Sequence, residues 1–137
     1  MKIGLFGKAF ADNQKGYLQL IVDELTRRDS EICIYEPYYN VIVNKIVLGD
    51  NISFFNTNKD IKKNVDVLFS VGGDGTILDT VPIVRNSGIP ILGINLGRLG
   101  FLSSVSKFEI QDAINCVFKG DYEIDSRALL QLVEPKK

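Results

Sequence analysis

Histidine is absent from the 137 residues. That excludes histidine-dependent catalytic triads and histidine metal sites, and it leaves carboxylates as the acid–base groups. Cysteine is scarce: the two residues, Cys33 and Cys116, stand far apart in apolar surroundings. Buried reduced thiols are expected there, since a zinc site needs clustered ligands. Long apolar runs are missing as well. The start, 1–6, lacks the run of a signal peptide, and no stretch reaches membrane-span length. The expectation is a cytoplasmic protein with no membrane partner. Charge of one sign is not in excess either, with 16 basic and 17 acidic residues and a net charge of -1. Sequence-independent nucleic-acid binding relies on clustered phosphate neutralisation, so no nucleic-acid partner is expected. Room remains for a local basic patch facing a nucleotide. At 45% apolar and 24% charged residues, the composition supports an ordinary core in one compact domain, and disorder is not indicated.

What is present is an alternation of short apolar runs and helical periodicities. Residues 2–6 (KIGLF) read as a buried strand. Asp12 and Asn13 are placed to cap a helix whose inner face is Leu18, Ile21, Val22 and Leu25, with Arg27 and Arg28 near its end. Residues 31–35 (EICIY) form a second strand. Residues 38–47 fit a helix or a strand, and 52–58 a short strand or a connector. Residues 65–71 (VDVLFSV) form a strand, followed by a helix from Thr76 to about Arg85. Pro82 is tolerable there only near the first turn or at a kink. Gly88 and Pro90 end that helix, and 89–94 (IPILGI) is the next strand. Ser106 and Glu109 have capping-box spacing before Ile110, Ala113, Ile114, Val117 and Phe118, one face of a helix reaching Gly120. The tail 122–133 is strand-like. Such alternation predicts an α/β fold: an open, mostly parallel sheet covered by helices. A final strand without an evident partner suggests that the sequence stops at a domain boundary.

Two glycine loops follow buried strands. The first is Gly72-Gly73-Asp74-Gly75-Thr76. Ligands of open parallel sheets bind beyond the carboxyl ends of strands. Glycines there allow close backbone approach to a phosphate, and the following helix adds its positive dipole end. Thr76 fits either a cap or a phosphate contact. Asp74 is the odd member, because a carboxylate repels phosphate. It fits three tasks: accepting a proton from an attacking hydroxyl, binding Mg²⁺, or holding a ribose hydroxyl. A plain Asx-turn is the alternative. The second loop lies in residues 93–102, GINLGRLGFL. Gly97 and Gly100 make it compact. Arg98 offers fixed charge, and Phe101 offers either a ring for stacking on a base or ordinary core. Gly7-Lys8 lacks P-loop spacing, so Lys8 reads as a solvated loop residue before a phosphate ligand.

GGDGT, then a helix and a strand, then GINLGRLGFL resembles the NAD kinase family. GGDGT alone is shared with diacylglycerol- and sphingosine-kinase-like lipid kinases, and a close variant occurs in phosphofructokinases. The lipid kinases carry a G-T-x-N-D loop at the second position, which this sequence lacks. The resemblance implies the Rossmann-like, phosphofructokinase-like N-terminal domain of a two-domain kinase, with helices on both sheet faces. Residues 1–125 would form the nucleotide-binding domain and 126–137 the start of a truncated β-rich domain. It implies phosphoryl transfer from ATP, or polyphosphate, to the 2′-hydroxyl of the adenosine ribose of NAD, with Mg²⁺ or another divalent ion. Asp74 takes the catalytic role of activating that hydroxyl. Gly72, Gly73, Asp74, Gly75, Thr76, Asn95, Arg98 and Phe101 line the nucleotide site, and no residue is assigned to a metal. Family members form dimers or tetramers. They also carry an Asn-Glu or Asn-Asp pair in the second domain, and no such dipeptide occurs here. A shortened or split chain is expected, inactive by itself. The alternatives are a lipid kinase domain and a non-catalytic nucleotide-binding module.

Overall fold

The computed structural model describes residues 1–62, 64–98, 100–103 and 105–128. Six strands pair in one sheet: β1 (Lys2–Phe6), β2 (Glu31–Tyr35), β3 (Ile52–Phe55), β4 (Val67–Val71), β5 (Ile91–Asn95) and the two-residue β6 (Val105–Ser106). Their order is β3-β2-β1-β4-β5-β6, and all five pairings are parallel. Parallel strands are covered on both faces, which is why these segments are apolar runs rather than alternating ones. β4 is buried at every position.

Successive side chains of a strand point to opposite faces, so one run feeds two cores. Ile3, Leu5, Val67 and Phe69 pack with Leu18, Ile21, Val22 and Leu25 of α1 (Lys15–Arg27). Tyr38 and Ile42 of α2 (Glu36–Ile42) and Ile110, Ile114 and Val117 of α5 (Ile110–Lys119) join the same core. Phe6, Cys33 and Leu68 point the other way, onto Ile61 of α3 (Asn58–Ile61) and Ile83 and Val84 of α4 (Asp74–Val84). The doubly covered parallel sheet expected from the alternation is therefore observed. Each fully buried Ile, Leu or Phe contributes about 1.5–3 kcal/mol of transfer free energy, so these two layers carry most of the stability.

Several local expectations are corrected. Asp12–Gln14 form a 3-10 turn, and α1 begins only at Lys15. Neither Asp12 nor Asn13 caps it; the Ala11 N–H instead donates to Gln14 Oε1 at 3.2 Å. Residues 38–47 open as helix, completing α2. α4 begins at Asp74 rather than Thr76, because extended Gly73 supplies the N-cap backbone with no side chain required. Pro82 stands in the closing turn, where the helix ends two residues later at Val84. Ser106 is the last residue of β6, Glu109 occupies the N-cap of α5, and only the return bond of the box forms, from Ser106 N–H to Glu109 Oε1 at 3.3 Å. Cys33 is buried, but Cys116 is only half-buried; both are free thiols. Residues 122–128 form no strand and are exposed, and the remainder of the expected tail strand, 129–133, lies outside the described residues. Among the described residues, no helix is long and apolar enough to cross a membrane.

Candidate functional site

The strand order reverses at β1, whose neighbours are β2 and β4. Connections leaving the carboxyl ends there run to opposite faces and leave a crevice. β4 and β5 are adjacent and parallel, so the two glycine loops emerge side by side at that end. Gly72 adopts φ +152°, and a Cβ on it would lie 2.3 Å from Thr76 Oγ1. Only glycine fits. Gly73 and Gly75 have nothing within 4 Å of an added Cβ, so their backbone is open to a ligand. Gly73 caps α4 and Gly75 lies in its first turn, with the unpaired amides and positive dipole end that attract anions.

Asp74 is the first residue of α4, and its carboxylate reaches across to the second loop. Oδ2 accepts the Phe101 N–H at 2.8 Å, while Oδ1 accepts those of Leu102 at 2.9 Å and Ser103 at 3.0 Å. These amides, Ser103 first, then Leu102 and Phe101, hold the carboxyl below the ordinary carboxylate range. Gly100 is required by the same contact, since an added Cβ would sit 2.3–2.6 Å from the carboxylate atoms. Asn95 shapes the loop from its other end. Its Oδ1 accepts the Gly97 N–H at 2.8 Å and its Nδ2 donates to the Arg98 carbonyl. Both ends of the buried carboxamide are thus spent on the loop. Phe101 projects from this frame with 96% of its surface exposed. The core alternative for that ring does not hold.

A model of the ATP-NAD kinase N-terminal domain matches residues 18–122. The chain belongs to the NAD kinase family. An NAD kinase of Flavobacterium psychrophilum is 36% identical over 96% of this chain and 45% of its own length. One from Bacteroides fragilis is 33% identical over 97% of this chain and 45% of its own. The chain thus spans about half the length of these curated relatives, 45%. The crystal structure of yeast NADH kinase complexed with NADH superposes with a TM-score of 0.73 at 22% identity, covering 88% of this chain and 38% of that one. That likeness concerns the fold.

In this NAD kinase family chain, the residues singled out by sequence fall into one neighbourhood with distinct duties. Gly72, Gly73 and Gly75 form the corner, Thr76 packs over Gly72, Asp74 joins the loops, Asn95 folds the second loop, and Arg98 and Phe101 are exposed on it. Lys8 is exposed, as a solvated loop residue is, and its Nζ pairs with Asp79 of α4 at 2.6 Å. Ser103 was not found by sequence reasoning. It is fully buried, and its Oγ donates to the Gly72 carbonyl at 3.0 Å. A serine in a Leu-Ser-Ser stretch carries no signal for such a role. Among the described residues, no group of three or more acidic or thiol side chains could hold a metal ion. Asp74 is the carboxylate at the corner, and three amides already bind it.

Proposed function

We propose that this chain is the nucleotide-binding part of an NAD kinase, transferring a phosphoryl group from ATP or polyphosphate to the 2′-hydroxyl of the adenosine ribose of NAD. The bonding of Asp74 carries the reading. A carboxylate offers about four acceptor positions. Oδ1 spends two and Oδ2 one on backbone amides. One position on Oδ2 remains for a hydroxyl. In the transfer, the ribose oxygen forms a bond to the terminal phosphorus and the bridging P–O bond of the donor breaks. ADP leaves, and the hydroxyl proton passes to Asp74 Oδ2. A loose phosphoryl-transfer transition state calls for positioning more than for a strong base. A weakly basic carboxylate, ionised at neutral pH, is adequate as the proton's acceptor. Gly73, Gly75 and Thr76 then receive phosphate at the corner that Gly72 shapes, Asn95 and Arg98 shape the second wall, and Phe101 stacks on the adenine side. A divalent ion would ride on the phosphates and water.

The same reading places residues 1–125 in the nucleotide-binding domain and 126–137 at the opening of a second. It gives the parent a cytoplasmic location, a dimeric or tetrameric state, and no nucleic-acid or membrane partner. Light scattering on the parent tests the assembly.

The test of function is NADP formation from NAD, ATP and Mg²⁺, by this chain and by the protein at the length of its relatives. Activity only in the longer protein fits the proposal. Activity in neither, with both folded, favours a binding module. In the longer protein, Asp74→Asn should retain the fold and lower kcat by about 10²–10⁴, the range of a positioned general base. Normal turnover would reduce Asp74 to a loop residue.

A further inference from the structure

Three polar attachments of one buried residue converge on the place where the two loops meet. Ser103 has 0% exposure. Its Oγ donates to the Gly72 carbonyl at 3.0 Å, fixing it to the end of β4. Its N–H donates to Asp74 Oδ1 at 3.0 Å, fixing it to the start of α4. Its own carbonyl accepts the Gly100 N–H at 3.4 Å, closing the loop on itself. Beneath it lies Gly93 of β5, where an added Cβ would sit 2.9 Å from the Ser103 Cα. The residue is therefore seated against a strand whose side chain has been removed to admit it. Two positions earlier in the chain, the Phe101 N–H is on Asp74 and the Phe101 ring is 96% exposed.

We propose that Ser103 is the positioning residue that fixes the Asp74 carboxylate and the Phe101 ring relative to each other. This rests on the reading above, in which Asp74 meets the ribose and Phe101 the adenine. Those two groups belong to one nucleoside, so their separation must be constant for both to engage at once. Backbone bonds to a carboxylate alone leave a loop free to slide along it. The Ser103 hydroxyl adds the third fixed point, on β4 itself, and removes that freedom.

Two substitutions test this in the protein at the length of its relatives. Ser103→Ala deletes the hydroxyl bond and keeps the N–H. Gly100→Ala attacks the same junction from an exposed position, by placing a methyl against the Asp74 carboxylate. Residue-resolved hydrogen exchange should show faster exchange at the amides of Phe101, Leu102 and Ser103 in both variants, with β4 amides unchanged. KM for NAD should rise about 2–10-fold, the equivalent of one neutral hydrogen bond, with kcat changing less and KM for ATP steady. Unchanged exchange at those amides overturns the proposal. Faster exchange with an unchanged KM for NAD also overturns it, since the loop would then be loosened without consequence for the nucleoside. If the protein does not phosphorylate NAD at all, the functional reading fails, and the exchange measurement alone decides whether Ser103 sets the loop.

Discussion

At the scale of single residues, Asp74 combines two demands that pull against each other. Three amides make it a good anchor and a poor base. Its folded-state pKa lies below the ordinary value, so the ionised anchor is complete above the usual carboxylate range and is lost as pH falls through the depressed value. A kcat/KM profile should accordingly stay flat on its acid side down to the ordinary carboxylate range. A limb near neutral pH would assign the proton's acceptor to another group. The carboxylate was legible in the sequence as an odd charge in a glycine loop whose pattern suits phosphate. Its partners were not, because backbone amides leave no residue-type signature. Asn95 was legible only as a member of the loop, since a buried carboxamide turned on its own loop and one turned on a ligand are written with the same letter.

At the scale of elements, α1 and α5 meet through a polar junction on an otherwise apolar face. Glu24 receives Arg28, Arg27 at 2.7 Å and Gln111 at 3.2 Å, while Arg28 also reaches Asn115 and lies 5.3 Å from the centre of the Phe118 ring. The hydrogen bonds from Arg28 and then Arg27 lower the Glu24 pKa to about 2. Stability from this junction should be complete above pH ~5 and decline between the ordinary value and the folded one as Glu24 takes up a proton. Glu24→Ala should cost about 2–3 kcal/mol in denaturant unfolding at pH 7, less than a fully buried pair because Arg27 is exposed. Gly16 lies in the first turn of α1 with nothing within 4 Å of an added Cβ. Gly16→Ala should therefore stabilise by about 0.5 kcal/mol, a gain in melting temperature checked by calorimetry. The helices themselves were legible from their apolar faces: Leu18, Ile21, Val22 and Leu25 are all buried. Their ends were less so. α4 starts on a glycine in extended backbone, and Glu109 displaced Ser106 at α5; both outcomes were set by how the preceding loop arrives.

At the scale of the whole molecule, the sheet order places the two glycine loops at one end of one sheet. Titrating NAD into the protein at its relatives' length should shift amides following β4 and β5 and spare those at the opposite end, near Ser30 and Asn51. A shift pattern centred on that opposite end would move the site. The sheet order also has a consequence in time. β1 is a central strand, and its neighbour β4 is distant along the chain: the Lys2 N–H to Asp66 carboxylate bond beside that pairing spans 64 residues. At about 5–20 residues per second of synthesis, β1 waits roughly 3–13 s for this partner. During that interval only the β1–α1–β2–β3 portion is available to cover it. One edge of β1, with its free N–H and C=O groups, stays open to whatever else is in reach. For a nascent chain, the strand that later lies deepest in the sheet is thus the one most in need of a chaperone.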